Sequence, residues 1–199
     1  MHLFPARLPL SRLSALCATL FLLGGCASLP TDQTGDEPLG TLAFAQINPG
    51  RGAMALREVE RLRAKGRRVW CVPFARNVSG IDIRGDAKTW WPQAQGRFEQ
   101  GHQPRVGAVM AFRETRRLPL GHVAVVSDIV SPRKVLIDHA NWHRNQVSLG
   151  MAVIDVSEGN DWSAVRVESQ PDSFGRVYPL RGFISAPPRR QAHGATASE

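Results

Sequence analysis

The sequence predicts an α+β fold with N-terminal helices packed on an antiparallel sheet of about five to six strands. Two observations lead to this prediction. Apolar residues recur at helical spacing between residues 54 and 65, whereas from residue 106 onward the pattern changes to short apolar, β-branched runs. Six such runs are found, at residues 106–112, 122–130, 134–139, 151–156, 164–168 and 177–184. Helices followed by a series of strands are typical of α+β domains.

Two helices are predicted ahead of the sheet. The first covers residues 54–65 and is followed by Gly66, a common C-terminal cap. The second is predicted to begin at Cys71, because Pro73 is tolerated in the first turn of a helix and not further in. Gly80 bounds this second helix downstream. Cys71 is therefore expected at a helix N-terminus.

The first 25 residues resemble a bacterial signal peptide. A positively charged start precedes an apolar region at residues 13–23, which is shorter than the roughly 20 residues of a membrane-spanning helix. Leu23-Gly24-Gly25-Cys26 follows and resembles the lipobox of bacterial lipoproteins. The resemblance implies that Cys26 is lipidated and becomes the new N-terminus. A cut elsewhere, giving a soluble periplasmic product, is the alternative.

The residues after Cys26 predict the membrane in which the protein is anchored and the boundaries of its domain. Ala27 and Ser28, rather than an aspartate, resemble the pattern of lipoproteins sorted to the outer membrane. We therefore expect a lipid-anchored protein of the bacterial cell envelope, at the outer membrane and facing the periplasm. The expected divisions are a flexible tether at 26–41, a folded domain at 42–186 and a disordered tail at 187–199.

The chain is basic, with 25 Lys and Arg residues against 17 Asp and Glu residues and a formal net charge of +8. An exported basic protein meets anionic cell wall and lipid head groups, so no nucleic-acid partner is expected. The alternative is that most of these arginines form a solvated face without a specific partner. We interpret the charge as affinity for the envelope.

Cys71 is the only cysteine expected to keep a free thiol. Of the three cysteines, Cys17 lies in the segment that would be removed and Cys26 would carry lipid. A lone thiol in an oxidising compartment has no disulfide partner. At a helix N-terminus its pKa is expected to be lowered, because the helix end stabilises the thiolate. A buried structural cysteine and a nucleophile that needs a nearby base are both open interpretations.

A candidate base opens the most apolar strand, where His122 precedes Val-Ala-Val-Val. The next strand returns through a short turn, which places residues 138–142 opposite His122. His139 and Asn141 share one face of that strand, while Asp138 points to the other. His139 and Asn141 are therefore both candidates for orienting the imidazole.

Several stretches between residues 70 and 142 are specific when taken together in order and spacing. They are Cys71-Val-Pro-Phe-Ala-Arg, Gly85-Asp86-Ala87 with Trp90-Trp91, residues 104–112, Gly121-His122-Val-Ala-Val-Val and His139-Ala-Asn141-Trp142. This set resembles the CHAP domains (cysteine, histidine-dependent amidohydrolase/peptidase) of the NlpC/P60 group of papain-like enzymes. The resemblance implies a papain-like NlpC/P60 fold, with Cys71 as nucleophile and His122 as base. Many CHAP domains have an acidic residue at the position of His139, where histidine instead resembles the Cys-His-His arrangement of NlpC/P60 relatives.

The resemblance also implies a cell-wall hydrolase that cleaves peptidoglycan amide bonds, either an N-acetylmuramoyl-L-alanine amidase or a peptidoglycan endopeptidase. A non-catalytic envelope lipoprotein that binds peptidoglycan or a partner, and a thiol redox protein, are the alternatives. The expected partners are peptidoglycan and the membrane around the lipid anchor, and the sequence names no protein activator. No cofactor and no metal are expected, because His102 and His143 lack the spacing of a metal site.

Tryptophans are the candidate substrate-binding residues. Trp90, Trp91, Trp142 and Trp162 have two interpretations, contact with sugar or peptide in a groove and packing in the core or its rim. Large aromatic side chains are first of all packing residues. The sequence leaves both interpretations open.

Overall fold

The computed structural model describes residues 48–187, and this part of the chain contains three α-helices and seven β-strands. The helices are α1 (Pro49–Ala64), α2 (Cys71–Ser79) and, after a 3-10 turn at Ala87–Thr89, α3 (Trp90–Ala94). The strands are β1 (Glu99–Gly101), β2 (Val109–Phe112), β3 (His122–Ser131), β4 (Lys134–Ala140), β5 (Val147–Asp155), β6 (Ala164–Gln170) and β7 (Ser173–Ser185). The α+β class predicted from the sequence is confirmed.

Several predictions fall outside the described residues. They are the signal peptide at 1–25, the lipidation of Cys26, the tether at 26–41 and, apart from residue 187, the disordered tail at 187–199. Among residues 48–187, no helix combines the length and the apolar character needed to cross a membrane.

The strands form one antiparallel sheet in the order β1, β7, β2, β3, β4, β5, β6, and β6 also pairs with β7. Six strands therefore close into a barrel, and β1 is added outside it. The length of β7 allows this closure, because its first half pairs with β6 (Ala164 opposite Pro179) and its second half with β2 (Phe112 opposite Leu180). The prediction of a plain sheet of about five to six strands is wrong in this respect. β1 is only three residues long, too short for a periodic signal.

Local signals in α1 explain why it begins earlier than residue 54, the predicted start. Oδ1 of Asn48 accepts a hydrogen bond from the backbone N–H of Arg51 at 3.1 Å, and Pro49 occupies the first turn. Gly50 and Gly52 lower the helix propensity of this turn, so the sequence pattern alone missed it. Gly66 follows the helix with φ of +62°, in agreement with its predicted role as a cap.

Alternate residues of β3 face two apolar clusters, one on each side of the sheet. Val123 and Val125 pack with the helices, whereas Ala124 and Val126 belong to the barrel interior. His122 lies on the barrel side with Ala124 because side chains alternate along a strand. Helix α2 packs on the outer side, against β3 and β4. The first turn of α2 thus meets the sheet where β3 begins, which is the position of His122.

Candidate active site

Cys71 is the first residue of α2, as the sequence predicted. Trp70 precedes it in extended conformation (φ −128°, ψ 151°) and makes no side-chain capping bond. The backbone N–H groups of Cys71, Val72 and Val123 interact with the thiol. Since Val123 is the second residue of β3, the sulfur lies against the start of that strand. At its other end the helix stops at Gly80, whose φ of 78° is left-handed.

The thiol of Cys71 is not acidified by this position. Burial raises its pKa above the usual value, and the nearby backbone N–H groups oppose the effect only in part. The prediction of a lowered thiol pKa is therefore wrong. The helix N-terminus is present, but desolvation of the thiolate outweighs it, and desolvation is not visible in a sequence pattern.

Gly121 fixes the start of β3. Its φ is +68°, and a Cβ at this position would lie 2.9 Å from the backbone N of Lys88 and 3.0 Å from the carbonyl oxygen of Phe112. Only glycine permits this close approach of the 3-10 turn to the strand. The backbone N–H of Lys88 also donates to the carbonyl oxygen of Leu120 at 2.8 Å. His122 is thus held at a strand start that is clamped by a neighbouring segment.

The imidazole of His122 contacts a second imidazole. Its Nε2 lies 3.0 Å from Nδ1 of His139, and the two rings are nearly perpendicular, at 82°. Nε2 of His139 in turn lies 3.2 Å from Sδ of Met151. The contact places His139 next to the candidate base, whereas no sequence pattern pointed to Met151.

The contact with Met151 determines which nitrogen atoms carry protons. A thioether sulfur accepts a hydrogen bond but cannot donate one, so Nε2 of His139 carries the proton. Nδ1 of neutral His139 is then an acceptor and takes the Nε2 proton of His122 in a hydrogen bond. This arrangement leaves a lone pair on Nδ1 of His122. That nitrogen can accept a proton from a nucleophile.

Burial keeps both histidines uncharged. It lowers the pKa of His122 to about 3 and lowers the pKa of His139 well below its usual value. Repulsion from the protonated forms of His122 and His143 would lower the pKa of His139 further. Both side chains are almost fully buried, at 3% and 0% exposure. At neutral pH the site therefore holds a neutral thiol and a neutral imidazole pair.

Aromatic rings enclose the imidazole pair. The ring of Trp142 lies 5.1 Å from that of His122 and 5.6 Å from that of His139 between centroids. Phe112 lies 5.7 Å from His122, and Tyr178 lies 5.0 Å from Trp142. The partly buried Trp142 packs over the histidines, and its predicted contact with substrate stays a prediction. These rings exclude water and so cause the desolvation that keeps the imidazoles neutral.

Asn141 shapes the turn after β4. Its φ is +64°, and its backbone N–H donates to the carbonyl oxygen of Gln146 at 2.7 Å. Its Oδ1 accepts from the backbone N–H of Asn145 at 2.9 Å and from Nε of Arg68 at 3.4 Å. Of the two residues predicted as orienters of the base, it is His139 whose ring contacts the base.

A cleft of about 590 Å³ opens over Cys71 and His122. It is lined by Arg68, Trp70, Cys71, Val72, Pro73, Gly85, Asp86, Ala87, residues 117–121, His122 and Asn141. Trp70 is 45% exposed and gives the cleft an aromatic surface. Sequence reasoning did not select Arg68 or Trp70 as cleft residues. Their position within three residues before the candidate nucleophile was the available signal.

Residues 63–141 match the CHAP domain family. The chain contains a CHAP domain. The matched range includes Cys71, His122, His139 and Asn141. Cys71, His122 and Asn141 line one cleft, and His139 contacts His122. CHAP domains are typically peptidoglycan hydrolases with amidase or peptidase activity, which supports a cell-wall hydrolase in general. Among curated proteins, none matches the chain significantly.

Two tryptophans of the CHAP-containing chain are core residues. Trp90 is 0% exposed and Trp162 is 1% exposed, so both pack in the core and the groove interpretation is wrong for them. Their size makes each a filler of the apolar clusters on either side of the sheet. Trp91 is half-buried against Gly182 and lies 6.4 Å from the ring of His102, between centroids. It belongs to the β1–β7 side of the domain, whereas the cleft lies at the start of α2.

A larger open groove, of about 1260 Å³, runs beside α1 and α2 and is lined by Arg51, Arg57, Arg61 and Arg76, among others. The thiol of Cys71 and the imidazole of His122 line the smaller cleft, so we place the chemistry there. Within residues 48–187, no group of three or more His, Cys, Asp or Glu side chains is arranged to hold a metal ion.

Proposed function

We propose that the chain is a cell-wall hydrolase that cleaves peptidoglycan amide bonds through a cysteine nucleophile, as an N-acetylmuramoyl-L-alanine amidase or as a peptidoglycan endopeptidase. The observation that carries the proposal is the cleft that Cys71 and His122 share, with a lone pair on Nδ1 of His122 directed by the His139 contact. A nucleophile, a base and a group that orients the base are the requirements of nucleophilic amide hydrolysis.

The proposed reaction begins with proton transfer, because the thiol is neutral in the free protein. Nδ1 of His122 takes the proton of Cys71 as the sulfur attacks the amide carbonyl carbon, and a C–S bond forms. The carbonyl oxygen becomes an oxyanion, for which the backbone N–H of Cys71 at the helix start is the proposed donor. His122 then protonates the amine nitrogen, the C–N bond breaks, and a thioester remains.

Hydrolysis of the thioester completes the cycle. Nδ1 of His122 removes a proton from a water molecule, the water oxygen attacks the thioester carbonyl, and the C–S bond breaks. The proton returns to the sulfur and the carboxylic acid product leaves. Throughout, Nε2–H of His122 stays hydrogen-bonded to Nδ1 of His139, so the ring keeps one orientation for both proton transfers.

The location is also part of the proposal. The signal-peptide and Cys26 patterns support a lipid-anchored protein of the bacterial envelope, at the outer membrane and facing the periplasm, where its substrate would lie. Mass spectrometry of the mature N-terminus tests it. An acylated cysteine at position 26 is expected, and an unmodified N-terminus elsewhere would contradict the anchor without affecting the proposed chemistry.

Digestion of purified peptidoglycan tests the activity. Muropeptides released by the wild type, and absent with Cys71→Ala and His122→Ala, are expected in mass spectra. New ends at the lactyl group of muramic acid indicate an amidase, and new stem-peptide ends indicate an endopeptidase. Binding of peptidoglycan without release of any fragment would favour the alternative of a non-catalytic envelope lipoprotein.

A further inference from the structure

Arg68 is held at the rim of the catalytic cleft by two contacts. Its guanidinium carbon lies 4.2 Å from the centroid of the Trp70 ring, and its Nε lies 3.4 Å from Oδ1 of Asn141. The stacking uses one face of the guanidinium and the hydrogen bond uses Nε. The Nη1 and Nη2 groups then remain as donors on a side chain whose position is already restricted.

The cleft has an excess of positive charge. Arg68 and Arg117 line it together with one carboxylate, that of Asp86, and the buried His122 is neutral. Within residues 48–187, neither Arg68 nor Arg117 forms a salt bridge with an acidic side chain. A ligand that enters the cleft therefore meets guanidinium groups that no protein carboxylate neutralises.

A restricted guanidinium with free Nη donors matches a carboxylate. The two parallel N–H groups of arginine fit the two oxygen atoms of a carboxylate, whereas a neutral carboxamide offers one acceptor and no charge. Arg68 lies three residues before Cys71, so such a carboxylate would sit close to the scissile bond.

We propose that Arg68, positioned by Trp70 and Asn141, binds a free carboxylate of the substrate next to the scissile amide, so that the cleft selects peptides with an acidic residue at that place over their amidated forms. This inference rests on the proposed function, since it names the substrate class of the same cleft. It also gives Asn141 a role, that of a positioning residue for Arg68.

Two synthetic muropeptides that differ only at one stem position, isoglutamate in one and isoglutamine in the other, are the probes. For the wild type we expect kcat/KM for the acidic substrate to exceed that for the amidated one by roughly tenfold, mostly through KM. Arg68→Gln is expected to abolish this preference, because it weakens the binding of the acidic substrate and leaves that of the amidated substrate unchanged. Arg68→Lys, which keeps the charge and loses the paired donors, is expected to retain part of it.

The matched control is Arg67→Gln. Arg67 is exposed like Arg68 and lies next to it in the chain, but it does not line the catalytic cleft. The substitution removes the same charge, so it should leave the preference for the acidic substrate intact. An equal loss of preference in both variants would show a general effect of charge and would overturn the role of Arg68.

Calorimetric binding to Cys71→Ala separates this inference from the proposed function. Tighter binding of the acidic muropeptide, lost in Cys71→Ala/Arg68→Gln, supports the carboxylate site even if the wild type releases no product. Equal binding and equal cleavage of both muropeptides would overturn the inference while leaving the hydrolase intact. Unchanged melting temperatures of the Arg68 variants would exclude unfolding as the cause of any loss.

Discussion

Nε2 of His122 lies 3.0 Å from Nδ1 of His139, so the proposed base is tied to a second neutral imidazole and not to a carboxylate. A carboxylate would raise the pKa of the base through its negative charge. A neutral imidazole only accepts a hydrogen bond, and burial keeps the pKa of His122 low, at about 3. The contact fixes the orientation of the ring without charging it.

His139→Ala is expected to lower kcat for muropeptide cleavage by roughly 10²-fold or more, because it removes the acceptor that orients the base. Asn141→Ala is expected to reduce kcat much less and to lower the melting temperature, because Asn141 organises the turn after β4. Steady-state kinetics and thermal unfolding of both variants provide the comparison. Equal losses of kcat in the two would mean that the orienting role is not specific to His139.

Met151→Leu is expected to lower kcat with little change in KM, since leucine fills the space but offers no acceptor for Nε2–H of His139. The two tautomers of His139 then become closer in energy, and a part of the molecules has no lone pair on Nδ1 of His122. Met110→Leu is the matched control, because Met110 is a fully buried residue of the same barrel interior. Both substitutions nearly conserve volume and should cost less than about 1.5 kcal/mol in stability. The same change in kcat for both variants would point to packing.

The thiol of Cys71 is expected to react slowly with iodoacetamide at neutral pH and faster as the pH rises, with a midpoint above that of an ordinary cysteine. The reason is that burial raises the thiol pKa, while His122 stays neutral and supplies no positive charge to the thiolate. Measurement of the alkylation rate from pH 5 to pH 10 tests this. A plateau of high reactivity between pH 5 and pH 7 would instead indicate a preformed thiolate–imidazolium pair.

Asp138→Asn is expected to remove a pH dependence of stability. Asp138 is fully buried, its Oδ1 accepts from the backbone N–H of Gly150 at 2.8 Å, and burial raises its pKa from 3.8 to about 7. The folded state therefore binds this proton more tightly than the unfolded state. The stability that the protonated group contributes is present below pH 3.8 and is lost as the pH rises through about 7.

Chemical unfolding of wild type and Asp138→Asn at several pH values measures this effect. Asparagine keeps an acceptor for Gly150 and does not ionise, so the stability of the wild type should fall relative to the variant by up to roughly 4 kcal/mol between pH 4 and pH 7. The two buried histidines titrate in both proteins and cancel in the difference. A difference that is constant with pH would contradict the raised pKa.

Local signals in the sequence account for much of the fold. The change from helical to strand-like spacing predicted the order of the elements, and Pro73 together with Gly80 predicted both ends of α2. Closure of the barrel was not predictable in this way. It depends on β7 pairing with β6 along one half and with β2 along the other, and a local pattern does not show which strands become neighbours.

The candidate site was predicted only in part, because local patterns show which residues share a face of a strand but not which strands become neighbours. Alternation along β4 placed His139 and Asn141 on one face, which limited the candidates for the group beside His122 to two. Met151 lies on the next strand, where the register of β4 and β5 shifts between Ile137 and His139, so spacing alone could not bring it to the imidazole. The sign of the thiol pKa shift depends on solvent exclusion, which is a property of the assembled fold.

Closure of the sheet also limits how these domains can associate. Open sheet edges are templates on which a strand of another copy can add, and aggregation often starts there. Within residues 48–187, the barrel leaves only β1, three residues long, with a single neighbouring strand. Among the same residues, the longer strands have one neighbour only over part of their length, as at residues 147–152 of β5, which pair with β4 alone. Copies held at high local density on a surface would therefore have only short backbone edges through which to join one another.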